Sequence, residues 1–239
     1  VNYLLYVDDA RAYWDTGPDA CAAAKDCNDK MKQRFDINFN EQDQLEDYFL
    51  GANRVMTKER DRITIRATSY IDSMVERYCD GDVTPSKRFP STWSHVPADD
   101  NLVKAYEKAV ATKTPASKEL FTEYNSLVGS LRHVVKYRPE ISAAMDLLGC
   151  CLTFPTDELL VCAYQVLVYL ARTRKLGTTY SKHSPKANKL WALADSNWRE
   201  VRSTTGFVLF LGAAQVSTCC QRQGCIAMSS TEAELVALA

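Results

Sequence analysis

The 239 residues contain no uninterrupted apolar run of the roughly 18 residues that a membrane helix needs, so no membrane role is expected. They also hold no Cys-x-x-Cys pair and only three histidines, His95, His133 and His183, which argues against a zinc site. Nine cysteines cannot all pair within one chain, so we read them as reduced, mostly buried thiols of an intracellular protein. There is little excess charge: 29 basic and 30 acidic side chains leave a formal net charge of −1, and any nucleic-acid contact must come from how charges are distributed. No internal repeat, low-complexity tract or signal-peptide pattern is visible. The chain opens on Val1 and stops at Ala239 within an apolar run, so both ends are read as cuts through a longer protein.

What is present is the composition of a globular protein, 46% hydrophobic and 25% charged, long enough for one large domain or two ordinary ones. The apolar, β-branched run 2–7 and the shorter run 10–14 predict a hairpin with Asp8 and Asp9 at its turn. After Gly17-Pro18, a helix is expected over about 20–35, capped by Asp19, with Ala23, Cys27, Met31 and Phe35 four apart on one face. Short strands follow around 48–55 and 62–66, then a helix over 70–79. Residues 80–118 carry Pro85, Pro90, Pro97 and Pro115 and are expected to be loop-rich, with a domain hinge. Helices are predicted over 119–135, 139–151 and 156–173, the last capped by Thr156 with Leu160, Ala163, Leu167 and Leu170 inside. From 189 the pattern turns to strands over 190–194, 203–211 and 213–218, and a final helix starts near Ser230.

Carboxylates stand out at two places. Asp8 and Asp9, at a turn between apolar strands, have the chemistry to ligate a pair of magnesium ions in nucleotidyl transfer, although acidic turns between strands are also ordinary solvated turns. Farther on, Asp195 after a strand and Glu234 in the first turn of a helix could converge on a two-metal nuclease site. Capping is the alternative for each: Asp195 as a turn or helix cap, and Thr231-x-x-Glu234 or Ser229-x-x-Glu232 as a capping box. If Ser229 is the cap, Glu232 reaches back and Glu234 is left to face the sheet. A third feature is electrostatic. No acid occurs from Leu159 to Ala194, whereas Arg172, Arg174, Lys175, Lys182, Lys186 and Lys189 fall there with His183. This is either a solvated face whose first cations complement a helix dipole or a stripe facing phosphates.

The motifs together resemble the copia-type retrotransposon Pol polyprotein. They run in that family's order from Tyr6-Val7-Asp8-Asp9 through Phe49-Leu50-Gly51, Ile63-Thr64-Ile65 and Ser69-Tyr70-Ile71. Tyr124 to Leu131, Tyr137-Arg138-Pro139-Glu140-Ile141, Val168-Tyr169-Leu170, Thr173 and Leu176-Gly177 come next. The most specific stretch closes the chain: Arg202-Ser203-Thr204-Thr205-Gly206-Phe207 through Ser229-Ser230-Thr231-Glu232-Ala233-Glu234. The resemblance implies a mixed α/β (α+β) fold: the end of a reverse-transcriptase palm (1–60), a thumb-like region and Pro-rich hinge (61–115), a helical connection (116–187), and the first half of an RNase H-like domain (188–239). It implies that Asp8 and Asp9 belong to the polymerase metal site and Asp195 and Glu234 to the RNase H metal site, served by Mg2+ or Mn2+. The implied partners are an RNA template, a DNA primer, their hybrid, deoxynucleoside triphosphates and the rest of the polyprotein, in a cytoplasmic particle or the nucleus. The family's other catalytic acids lie outside this chain, so the fragment by itself is expected to be inactive. Three stretches depart from the family pattern: Asp195-Ser196-Asn197-Trp198, Tyr137-Arg138-Pro139-Glu140 and Thr218-Cys219-Cys220. An enzyme part and a decayed, non-catalytic relic that still binds nucleic acid both remain open on the sequence.

Overall fold

A computed structural model describes residues 2–6, 9–13, 17–35, 45–95, 100–183, 189–198 and 202–239. The chain is mixed α/β, with antiparallel sheets throughout, and divides into two compact units, Val1–Gln44 and Leu45–Ala239. In the first, β1 (Asn2–Tyr6) and β2 (Asp9–Tyr13) form the expected hairpin, paired from Asn2 with Tyr13 to Tyr6 with Asp9. Helix α1 (Pro18–Arg34) begins two residues earlier than expected because Pro18 can occupy the first helical position without losing a needed N–H. Gly17, not Asp19, is the N-cap; Asp19 lies in the first turn, where its charge complements the helix dipole. The inner stripe is also displaced. Ala24 is buried and Ala20, Cys27 and Met31 are half-buried, whereas Ala23 is exposed and Phe35 has left the helix in an extended conformation.

The second unit joins a sheet to a helical body. Strands β3 (Glu46–Phe49), β4 (Ala52–Met56) and β5 (Arg62–Arg66) form a meander, and β6 (Thr178–Ser181) returns from the far end of the helical region to pair with β5. Between them run α2 (Thr68–Cys79), α3 (Asp100–Thr112), α4 (Lys118–Val134), a 3-10 turn at Pro139–Ile141, α5 (Ser142–Gly149) and α6 (Asp157–Arg172). Thr156 caps α6 as expected, its hydroxyl accepting from the Leu159 N–H. α6 packs against α2, α3, α4 and α5, which explains why its buried face is wide: Leu159, Cys162, Ala163, Val166, Leu167 and Leu170 are all inside. Such a helix, apolar over much of its circumference, can only be stable when covered on several sides.

Helix α3 corrects the loop-rich expectation for 80–118. Leu102, Ala105, Tyr106 and Ala109 are buried at the spacing of one helical face, a pattern present in the sequence but overshadowed by the flanking prolines. It packs on α5 and α6, so these residues belong to the core and the compact unit has no division there.

The chain ends in the sheet β7 (Leu190–Asn197), β8 (Thr204–Leu211) and β9 (Ala214–Arg222), followed by α7 (Ser230–Leu238) against β7 and β8. β7 and β9 are longer than expected. No disulfide occurs among the described residues, which include all nine cysteines, but only Cys79, Cys151 and Cys162 are buried and Cys21 and Cys225 are exposed, so "mostly buried" does not hold. Among the described residues no helix is long and apolar enough to cross a membrane.

Candidate metal and nucleic-acid sites

The Tyr6–Asp9 pair closes the β1–β2 ladder, so only two residues connect the strands. Asp8 lies outside the described residues; Asp9 starts β2 and follows it directly.

Asp195 is inside β7 and pairs with Gly206 of β8, which removes its capping alternative. A Cβ built on Gly206 would meet nothing within 4 Å, so the sheet surface beside the exposed Asp195 carboxylate is open. Ser229 caps α7 by accepting from the Glu232 N–H at 3.2 Å, and Glu232 reaches back to the Met228 N–H at 2.7 Å. Glu234 is thereby spared from capping and is exposed. Gln223 ties α7 to the sheet, donating to the Thr205 hydroxyl and to the Ala233 carbonyl. Thr205 pairs with Ser196, so strand alternation puts α7 on the Ser196 face of β7 and Asp195 on the other, with Cys220. Both carboxylates are hard oxygen donors of the kind magnesium takes. They do not face one another, and among the described residues no group of three or more His, Cys, Asp or Glu could hold a metal ion.

The basic run separates into two kinds of residue. Arg172 points inward and donates to the carbonyls of Pro90 at 2.8 Å, Val83 at 3.1 Å and Phe89 at 3.1 Å, holding the 83–90 loop against the end of α6. Arg174 pairs with Asp72 at 3.0 Å. Lys175, Lys182 and Lys189 are exposed, and Lys186 lies outside the described residues.

Compared with known proteins, the chain is 30% identical over 250 residues to the retrovirus-related Pol polyprotein from transposon RE1 of Arabidopsis thaliana, covering 98% of this chain and 14% of that protein. It is 29% identical over 243 residues to the corresponding polyprotein from transposon RE2 of the same plant, covering 98% and 15%. The chain belongs to the retrotransposon Pol polyprotein family. It spans only about a seventh of those two relatives' length. A shorter match, 36% identical over 122 residues, is to an uncharacterised mitochondrial protein of Arabidopsis thaliana, covering 49% of this chain and 50% of that one. No family model and no solved structure matches the chain.

Several of the Pol motif residues meet at one structural junction between the β3–β6 sheet and the helices of the second unit. Leu50 and Gly51 turn the β3–β4 hairpin with positive φ (52° and 83°), and the Tyr137 hydroxyl donates to the Leu50 carbonyl at 2.7 Å. A Cβ on Gly51 would stand 2.8 Å from Nε2 of His133, whose ring packs against Tyr70 and Tyr137. Burial, with nearby Lys136, holds the His133 pKa below its ordinary range. Arg138, with 1% exposure, donates to Glu140 and to both the carbonyl and hydroxyl of Thr173, under Tyr169. Gly177 lies against β5, where a Cβ would come within 2.2 Å of the Ile65 carbonyl oxygen. Apart from His133 and Lys136, these residues stand in the family motifs without a role assigned from sequence; their partners are too distant along the chain for spacing to reveal.

Proposed function

We propose that this chain is the segment of a retrotransposon Pol polyprotein that joins the metal-binding turn of an RNA-directed DNA polymerase to the start of its RNase H domain. The observation that carries the reading is the ordered run of Pol motifs along a chain that aligns over 98% of its length with the RE1 polyprotein. The β1–β2 hairpin, whose second strand opens on Asp9, supports the polymerase end, and an antiparallel three-stranded meander followed by a packed helix supports the nuclease end. In that reading residues 1–60 are palm, 61–115 thumb-like, 116–187 a helical connection and 188–239 RNase H-like.

In the parent polyprotein Asp8 and Asp9 would hold Mg2+ at the polymerase site, and Asp195 and Glu234 would do so at the nuclease site. The nuclease assignment rests on motif order, since the two carboxylates stand on different faces here. Bound magnesium would supply charge neutralisation at the reacting phosphate. The protein's part would be to offer carboxylate oxygens where β2 begins and on an open sheet surface, and to bind the nucleic-acid backbone. Lys175, Lys182 and Lys189, exposed along the segment linking those sites, would neutralise hybrid phosphates without reading sequence.

Substitution in the intact polyprotein tests the two-site assignment. Asp8→Asn should abolish primer extension and spare cleavage of the RNA strand of a hybrid, whereas Asp195→Asn should do the reverse. Equal loss of both activities in both variants would sink it.

A further inference from the structure

The pairing of β5 with β6 brings the tip of the β4–β5 hairpin, Thr57 to Asp61, beside the end of β6. Asp61 fastens the two. Its carboxylate accepts from the Thr57 hydroxyl at 2.6 Å, and its carbonyl accepts from the Lys182 N–H at 2.9 Å. Its Oδ2 also stands 3.7 Å from Arg62 Nε and 3.7 Å from His183 Nε2. The tip itself is closed by hydrogen bonds from Thr57 N–H to the Arg62 carbonyl and from Arg60 N–H to the Thr57 carbonyl. The result is an exposed group of cations, Lys58, Arg60, Arg62 and Lys182, opposed by Glu59 and by an Asp61 that is half-buried and engaged with Thr57. Nothing in the linear sequence joins these residues, because Lys58 to Arg62 alternate in sign and the basic run begins more than a hundred residues later.

We propose that this hairpin tip is a second bank of phosphate contacts, which with Lys182 grips the backbone of a nucleic-acid strand. The inference rests on the nucleic-acid reading given under Proposed function and extends it to residues outside the basic run. Arg62 opens β5 and pairs with Ser181, next to Lys182. Neighbouring strands are about 4.8 Å apart and the Debye length at physiological ionic strength is about 8 Å, so these two cations can act on one phosphate, with Lys58 and Arg60 in the adjoining turn. Arg172 is taken up by protein carbonyls, and Arg174 pairs with Asp72 as Arg62 does with Asp61. The tip thus supplies cations on the exposed surface beyond those of the run itself.

The test is fluorescence anisotropy of a short labelled RNA–DNA hybrid on the full chain, across a salt series. It compares wild type, Lys182→Ala, Lys58→Ala/Arg62→Ala, the single charge reversal Lys58→Glu, and a control pair Lys25→Ala/Lys118→Ala. Each lost phosphate contact removes about 0.9 from the slope of log K against log salt, so the tip double variant should flatten it by up to about 1.8, and Lys58→Glu should weaken binding with an unchanged melting curve. The control pair should keep the wild-type slope. If Lys182→Ala flattens the slope while neither tip variant changes slope or affinity, the tip proposal fails and the nucleic-acid reading stands. If wild type binds no hybrid at low salt, that reading fails and the tip proposal with it. If the control pair lowers the slope as much as the tip variant, the binding is diffuse and the tip is not a site.

Discussion

Replacing Arg172 by alanine separates a structural cation from a phosphate-binding one. The substitution deletes three hydrogen bonds from one guanidinium to the carbonyls of Val83, Phe89 and Pro90, and with them the attachment of the 83–90 loop to the end of α6. A hydrogen bond to a charged group contributes about 1.5–3 kcal/mol net, but three from one half-buried side chain are not additive, so the expected loss is about 2–4 kcal/mol. For a domain of this size that lowers the melting temperature by roughly 4–16 °C. Arg172→Lys keeps the charge but not the planar fork, and should lose most of the same stability. Urea denaturation followed by circular dichroism measures the loss, and hybrid binding across salt measures the rest. A variant that unfolds with wild type but flattens the salt slope by about 0.9 would show that the inward hydrogen bonds are incidental and that Arg172 contacts phosphate.

Arg138→Ala should cost about 3–5 kcal/mol in the same denaturation experiment, because it strips the Thr173 carbonyl of its donor and opens a void beneath Tyr169; a loss below about 1 kcal/mol would contradict that account. Gly177→Ala should cost about 1–3 kcal/mol, since the new methyl would overlap the Ile65 carbonyl and force β5 and β6 apart; unchanged stability would show that the strands part easily. Acid should weaken the fold through His133. Its folded pKa is lowered, so the unfolded chain takes up the proton first, and the associated stability is complete above the ordinary pKa of 6.5 and declines as pH falls below it. Melting temperatures of wild type and His133→Gln on either side of pH 6.5 check this, and an equal pH dependence in both would remove His133 from the explanation.

Local periodicity made most elements legible. The spacing in α4 places Tyr124, Leu127, Val128, Leu131 and Val134 on one buried face, and the residue types around Thr156 and Ser229 specify caps whose partners lie three residues away. The miss at α3 arose because four prolines in 80–118 outweighed an amphipathic pattern between them. At α1 the proline at the first helical position displaced the cap that Asp19 would otherwise make.

By itself the sequence determined the order of the family motifs, the antiparallel hairpins and the two capping boxes open to the last helix, of which the structure takes the one that leaves Glu234 uncommitted. Tertiary structure alone decided which cations are available. Arg172 and Lys182 look alike in a basic run, yet one ends α6 where three loop carbonyls converge on it and the other leaves β6 at the surface. It also decided that Arg138, Thr173, Tyr137 and Leu50 brace one junction and that Asp61 joins the hairpin tip to β6. The physical reason is the same in each case: the return of β6 to β5 after five helices brings together groups whose interaction depends on distance in space, and local sequence carries no record of that distance.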